Sequence, residues 1–167
     1  MIKTLHQTVE LLRNQVKRLE MTIPRLERHE HELFNKCVEA LEQSDELSKA
    51  RARMYAEECA EVRKLLKTTI ACKLALEQAL LRLETVESPQ DLTVEGVTVA
   101  QVLSALRKRL ATIIPEISYN IGLAEKKLTS LIAETVKPPF KSNEAEKLLK
   151  QAEEQAEEEM KSKPEIP

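Results

Sequence analysis

The sequence predicts an all-α protein, and three observations carry that expectation. Only two Gly and four aromatic residues occur among 167, with no Trp, while 32% of the chain is charged and 42% hydrophobic. Sheets and α/β enzymes draw on Gly and aromatic residues for their turns and strands. Apolar residues recur at helical spacing over most of the length. The stretch LALEQALLRLETV (74–86) contains no helix breaker and consists mostly of strong helix formers. Such a hydrophobic fraction, over this length, suffices for a sizeable core.

Residues 1–47 carry a heptad pattern. Ile2, Val9, Val16, Ile23 and Cys37 fall at a, interrupted by Glu30 and Ser44, and Leu5, Leu12, Leu19, Leu26, Leu33, Ala40 and Leu47 fill d. β-Branched residues at a with Leu at d specify a rod about 65 Å long at roughly 1.5 Å per residue. Pro24 lies inside it. The heptad phase holds across Pro24, which predicts a kinked but continuous helix rather than two helices. Apart from Leu47, residues 43–49 are polar and place the turn near Leu47 and Ser48, with Ser44 and Ser48 as N-cap candidates. A turn there sets Cys37 and Cys59 at matching heights, which makes a bridge between them geometrically conceivable. The three cysteines lack C-x-x-C spacing and otherwise read as buried thiols.

The second helix runs to about residue 87 and shows two apolar faces. Tyr55, Cys59, Val62, Leu66, Thr69, Leu76, Leu80 and Leu83 face the hairpin partner, whereas Leu65, Ile70, Leu74 and Leu81 point elsewhere. A two-helix hairpin satisfies only one stripe, so the second face requires another cover. SPQDLTVEG (88–96), with its Pro and Gly, ends this helix and reads as a hinge. A third helix over 97–114 is amphipathic through Val99, Val102, Leu103, Leu106, Leu110 and Ile113. Pro115 then starts or kinks a fourth over 116–136, carrying Ile117, Ile121, Ala124, Leu128, Leu131 and Ile132. These two short helices are expected to cover part of the second face. KPPFKSN (137–143) reads as a linker, and EAEKLLKQAEEQAEEEM beyond it as an acidic fifth helix whose large apolar residues are Leu148, Leu149 and Met160. The chain thus divides into a helical core, 1–136, and a linker with an acidic tail, 137–167.

Charge follows the same division. Residues 1–139 hold 21 Lys and Arg against 20 Asp and Glu, and residues 140–167 hold 5 against 8. A body this close to neutral lacks the basic footprint of nucleic-acid binding. The first 28 residues are an exception, with 6 cations against 3 acids. Lys3, Arg13, Lys17, Arg18 and Arg25 lie off the apolar seam and form the candidate surface for anionic lipid, where each charge contributes about 1 kcal/mol. The acidic tail and this basic stripe also invite the tail to dock on the body and hold assembly back. The longest run free of charged side chains, 96–106, has 11 residues, whereas a membrane span needs about 20. Charges interrupt every apolar run of the first 22 residues, unlike a signal peptide. A soluble cytoplasmic protein is expected.

Chemistry-bearing motifs are missing. His29 and His31 point about 200° apart on a helix and cannot hold one ion together. No Glu precedes any His by three residues, so the E-x-x-H pairs of di-iron bundles are lacking. There is no P-loop and no nucleophile elbow. The sequence therefore predicts neither metal, cofactor nor catalytic site, and a non-enzymatic protein.

ELFNKCVEAL (32–41), MYAEECAEVRKLLK (54–67), LALEQALLRLETV (74–86) and the Pro-Glu at 115–116, taken in their order and spacing, resemble the archaeal ESCRT-III-like cell-division proteins, the CdvB family, over about residues 5–136. The resemblance implies a long α1–α2 hairpin with shorter helices folding back on it. It also implies assembly with copies of itself and paralogous subunits into filaments that constrict membrane at the division site, and disassembly by a AAA-type ATPase carrying a MIT domain. Longer members carry a winged-helix segment, which this sequence lacks. The acidic helix lacks the Leu-x-x-Arg-Leu pattern of one MIT-binding class. The ending KPEIP is similar to the extended, Pro-spaced class, which makes Pro164, Ile166 and Pro167 the MIT-binding candidates. On this reading Leu65, Ile70, Leu74 and Leu81 are hidden by the fold-back helices or claimed by a neighbouring subunit. The rival expectation is a soluble coiled-coil scaffold or chaperone of fixed oligomeric state.

Overall fold

The computed structural model describes residues 2–135 and 143–167, which form α1 (Ile2–Leu41), α2 (Glu46–Glu84), α3 (Pro89–Leu110), α4 (Pro115–Thr135) and α5 (Asn143–Met160), with no strand among the described residues. The linker expected at 137–143 falls, up to residue 142, outside them. α1 and α2 make the long antiparallel hairpin that the heptad pattern anticipates.

α1 continues unbroken through Pro24. Proline removes one backbone donor, and seam residues buried on both sides, Leu19 and Leu33, hold the two halves on α2. Val9, Leu12, Val16, Cys37 and Ala40 complete the buried seam. The turn comes earlier than expected. α1 stops at Leu41, and Asp45, rather than Ser44 or Ser48, takes the N-cap position of α2. Leu47, expected at d, stands on the surface. The register moves with the turn. The Cys37 thiol donates to the Ala52 carbonyl at 3.4 Å and the Cys59 thiol to the Glu30 carbonyl at 3.7 Å. Glu30 and Cys37 are seven residues apart on α1, about 10 Å, so Cys37 and Cys59 do not stand at matching heights. All three cysteines are free and buried.

α3 begins eight residues before its expected start. Ser88 Oγ accepts from the Asp91 amide at 3.1 Å, and the Asp91 carboxylate accepts from the Ser88 amide at 3.2 Å. With Pro89 at the first helical position, this is a complete capping box. Residues 88–96 are therefore the cap and first turns of α3 rather than a hinge. Gly96 sits inside that helix, where an added Cβ would stand 3.0 Å from Ile132 Cδ1, so glycine is what lets α3 and α4 approach. Replacing Ser88 with Ala is expected to lower stability by about 1 kcal/mol. A urea titration measures this, and a loss below about a quarter of that value would mean that the cap does not hold α3 in place.

α3 packs on α2, α4 and α5, whereas α4 packs on α1 and α3 and makes no close approach to α2. One core runs through all five helices, from Leu12 and Leu19 of α1 through Leu76, Leu103 and Ile121 to Leu148 of α5.

Candidate functional site

The covering of α2 sets the candidate site. Its side turned from α1 is roofed by α3 and α5, not by α3 and α4 as the sequence suggested. Ala145, Leu148, Ala152 and Ala156 are the buried residues of α5 and recur at intervals of three and four. Three of them are alanines, and small side chains let one helix lie close against another. Counting only large apolar residues hides this stripe, whereas counting alanines at helical spacing reveals it. Ion pairs flank it, with Arg82 on Glu95 at 3.0 Å and on Glu144 at 3.6 Å, and Arg109 on Glu153 at 2.8 Å. The acids of α5 thus meet Arg82 of α2 and Arg109 of α3 rather than the basic stripe of α1, which α5 does not approach closely. Beneath this cover, burial pushes the Cys72 thiol up to about 12.

The four residues assigned to the second face part company. Ile70 is buried in a cluster with Leu66, Ala71 and Ala156, and Leu74 packs against both this cluster and the main core. Leu65 is half-buried at the rim of a cleft that it shares with Lys67, Arg109 and Glu153. Leu81 is 56% exposed.

Past α5 the chain turns onto the hairpin. Lys163 Nζ lies 3.3 Å from Glu30 Oε2, and Arg63 Nη1 donates to the Pro164 carbonyl at 2.7 Å. Ile166 packs against the cluster of Leu33, Cys59 and Val62, which Phe34 and Tyr55 border. Pro167 shares a recess with Cys37, Leu41, Ala52 and Ala56. The segment singled out as the MIT-binding end therefore rests on the hairpin, through Ile166 and Pro167 and through the carbonyl of Pro164.

Glu30 anchors that arrangement. It occupies a heptad a position and is 4% exposed, with Arg63 Nε on its other carboxylate oxygen at 2.8 Å. Arg63 also stacks its guanidinium over Phe34, 5.7 Å from the ring centre. Burial is the largest influence on the Glu30 carboxyl and pushes it up. The Arg63 hydrogen bond and the charges of Lys163 and Arg63 together outweigh burial and hold it below the usual carboxylate range. This depressed value makes the carboxylate's contribution to stability complete above the ordinary range and lost only as pH falls through the folded-state value. Burial, then the neighbouring Glu30, pushes the Cys59 thiol up. In the sequence Glu30 showed only as a break in the heptad, because its partners lie 33 and 133 residues away.

Lys3, Arg13, Lys17, Arg18 and Arg25 are exposed on α1. The fold brings Glu84 to Arg13 at 2.9 Å and Glu116 to Arg18 at 2.6 Å. Lys3, Lys17 and Arg25 face no acid within ion-pair distance among the described residues. No helix of the described residues is long and apolar enough to cross a membrane.

The chain is 34% identical over 165 residues to the Cell division protein B1 of Sulfolobus acidocaldarius, an alignment covering 93% of this chain and 75% of that one. It is 28% identical over 153 residues to the Cell division protein B of the same organism, covering 87% of this chain and 58% of the relative. Compared with protein-family profiles and with solved structures, the chain finds no match in either. The likeness to the first relative spans nearly the whole hairpin-and-cover architecture described above, and on that extent the chain belongs to the cell division protein B (CdvB) family.

Proposed function

We propose that this protein acts in archaeal cell division as a self-assembling subunit that polymerises, alone or with paralogous chains, on an anionic membrane surface and helps constrict it. The observation that carries the reading is the way α2 is covered. Its second face is closed by α3 and α5, and α5 is held by one buried leucine, a narrow alanine stripe and a few partly exposed ion pairs, which individually contribute little. Such a cover can be exchanged for the same surface of a neighbouring copy, a two-state arrangement in which assembly and fold-back compete. Leu81, already exposed on α2, belongs to the contact between copies. Lys3, Lys17 and Arg25 supply the membrane face, with Arg13 and Arg18 joining once their acids are displaced. A AAA-type ATPase with a MIT domain takes the filament apart by gripping Pro164, Ile166 and Pro167. None of this calls for catalysis or a cofactor by the chain itself.

Sedimentation with vesicles containing phosphatidylserine, followed by electron microscopy of the pellet, tests the reading. Replacing Lys3, Lys17 and Arg25 with Glu is expected to weaken vesicle binding at least on the order of a hundredfold, given about 1 kcal/mol for each cation. Wild-type protein that stays monomeric in the supernatant at every lipid and protein concentration overturns the proposal.

A further inference from the structure

A buried acid, Glu30, lies on the hairpin where the chain's own residues 163–166 rest. A carboxylate in the apolar seam of two helices lowers stability unless it is fully partnered, and it is best explained where it specifies something. Glu30 has one partner on α2, Arg63 at 2.8 Å, and a second outside the hairpin, Lys163 at 3.3 Å. Arg63 in turn spends one guanidinium nitrogen on Glu30 and another on the Pro164 carbonyl. Its remaining nitrogen, Nη2, is buried without a partner among the described residues. Three residues beyond Lys163, Ile166 enters the apolar surface of Leu33, Cys59 and Val62. Charge, backbone and apolar side chain are thus each read by a different group on the hairpin.

We propose that Glu30, Arg63 and the Leu33–Cys59–Val62 surface form a binding site for a Lys-Pro-x-Ile peptide, filled by this chain's own residues 163–166, with Glu30 as the residue that specifies the lysine. Proline at 164 suits the site because the carbonyl, not the amide, is what Arg63 engages. The lysine cannot be exchanged for a neutral residue without leaving one oxygen of a buried carboxylate short of a charge. While the segment sits here, Ile166 is turned into the hairpin and unavailable to any other protein. Neutralising Glu30 leaves the α1–α2 apolar seam intact and releases the peptide. The site stands on these contacts alone and does not depend on the filament reading.

The test uses the full chain with its isoleucine methyl groups labelled for NMR. Ile166 lies in the cluster bordered by Phe34 and Tyr55, so its docked δ1-methyl signal is displaced by the aromatic rings, whereas a free segment gives the random-coil position. In Glu30→Gln the docked-to-free ratio is expected to fall about tenfold, the scale of removing one partner from a charge-assisted pair. Lys163→Gln, which leaves the hairpin untouched, is expected to produce the same shift, while Lys163→Arg keeps the signal docked. Ile121 serves as the control for an intact core. The proposal is overturned by a wild-type Ile166 signal at the random-coil position, or by Glu30→Gln and Lys163→Gln proteins in which it stays at the docked position.

Discussion

Arg63→Met is expected to destabilise the protein by on the order of 3–5 kcal/mol, because it strips the nearer partner from a carboxylate sunk in the hairpin seam. Methionine replaces most of the apolar length of arginine, so lost packing is a minor part of the effect. Glu30 keeps Lys163 at 3.3 Å, the longer of its two ion pairs. The loss depends on pH in a defined direction. In the wild type the Glu30 carboxyl lies below its usual range because Arg63 and Lys163 outweigh burial. Without Arg63 the largest opposing influence on burial is gone and the folded-state value rises from its depressed position, so the destabilisation is largest at neutral pH and shrinks as acid protonates the carboxyl. Combining Arg63→Met with Glu30→Leu should recover most of the loss, since a well-packed apolar pair does as well as a buried ion pair. Urea denaturation at pH 7 and near pH 4 measures all of this. A single mutant within about 0.5 kcal/mol of wild type at pH 7, a value typical of surface changes, contradicts the account of Glu30 as a buried, ionised anchor.

Leu148→Asp is expected to unseat α5 without unfolding the hairpin. Burying a leucine side chain contributes roughly 1.5–3 kcal/mol, and a carboxylate in its place cannot stay buried unpaired. The other buried residues of α5 are Ala145, Ala152 and Ala156, which together hold too little apolar surface to keep the helix down. Cys72 gives a direct reading. It is fully buried in the wild type, and its thiol is pushed up to about 12 by that burial, with Arg109 and Glu153 close enough to be felt. Removing the cover should raise its alkylation rate by at least on the order of tenfold, because the thiolate fraction and access rise together. Cys37 and Cys59 lie nearer the turn, where Pro167 and Ile166 rest beside them, so their rates report separately whether residues 163–167 stay docked. If the exchangeable-cover proposal holds, the same variant also sediments as larger, concentration-dependent species at protein concentrations where the wild type is monomeric. A variant whose Cys72 stays protected shows that α5 is not held by Leu148. A variant whose Cys72 opens while the protein remains monomeric separates the cover from assembly and counts against the proposed function.

The long hairpin was present in the sequence because its cause is periodic. Leu12, Val16, Leu19, Ile23 and Leu26 recur every three or four residues, and a stripe of that kind buries itself in only one way, against another stripe. Local chemistry of the same kind lay in Ser88, Pro89 and Asp91, whose capping box starts α3, although reading Pro and Gly there as breakers concealed it. The alanine stripe of α5 was also there to be read. What the amino-acid order alone determined is therefore each helix and the face that it buries, since both follow from interactions within four residues. Only the tertiary structure decided which faces meet. It chose α5 over α4 as the roof of α2, set the hairpin register by a turn lacking Gly and Pro, and brought Lys163 across 133 residues to Glu30. Those choices rest on shape and charge matched between distant segments, and a carboxylate's partner, unlike a helix, leaves no period in the sequence.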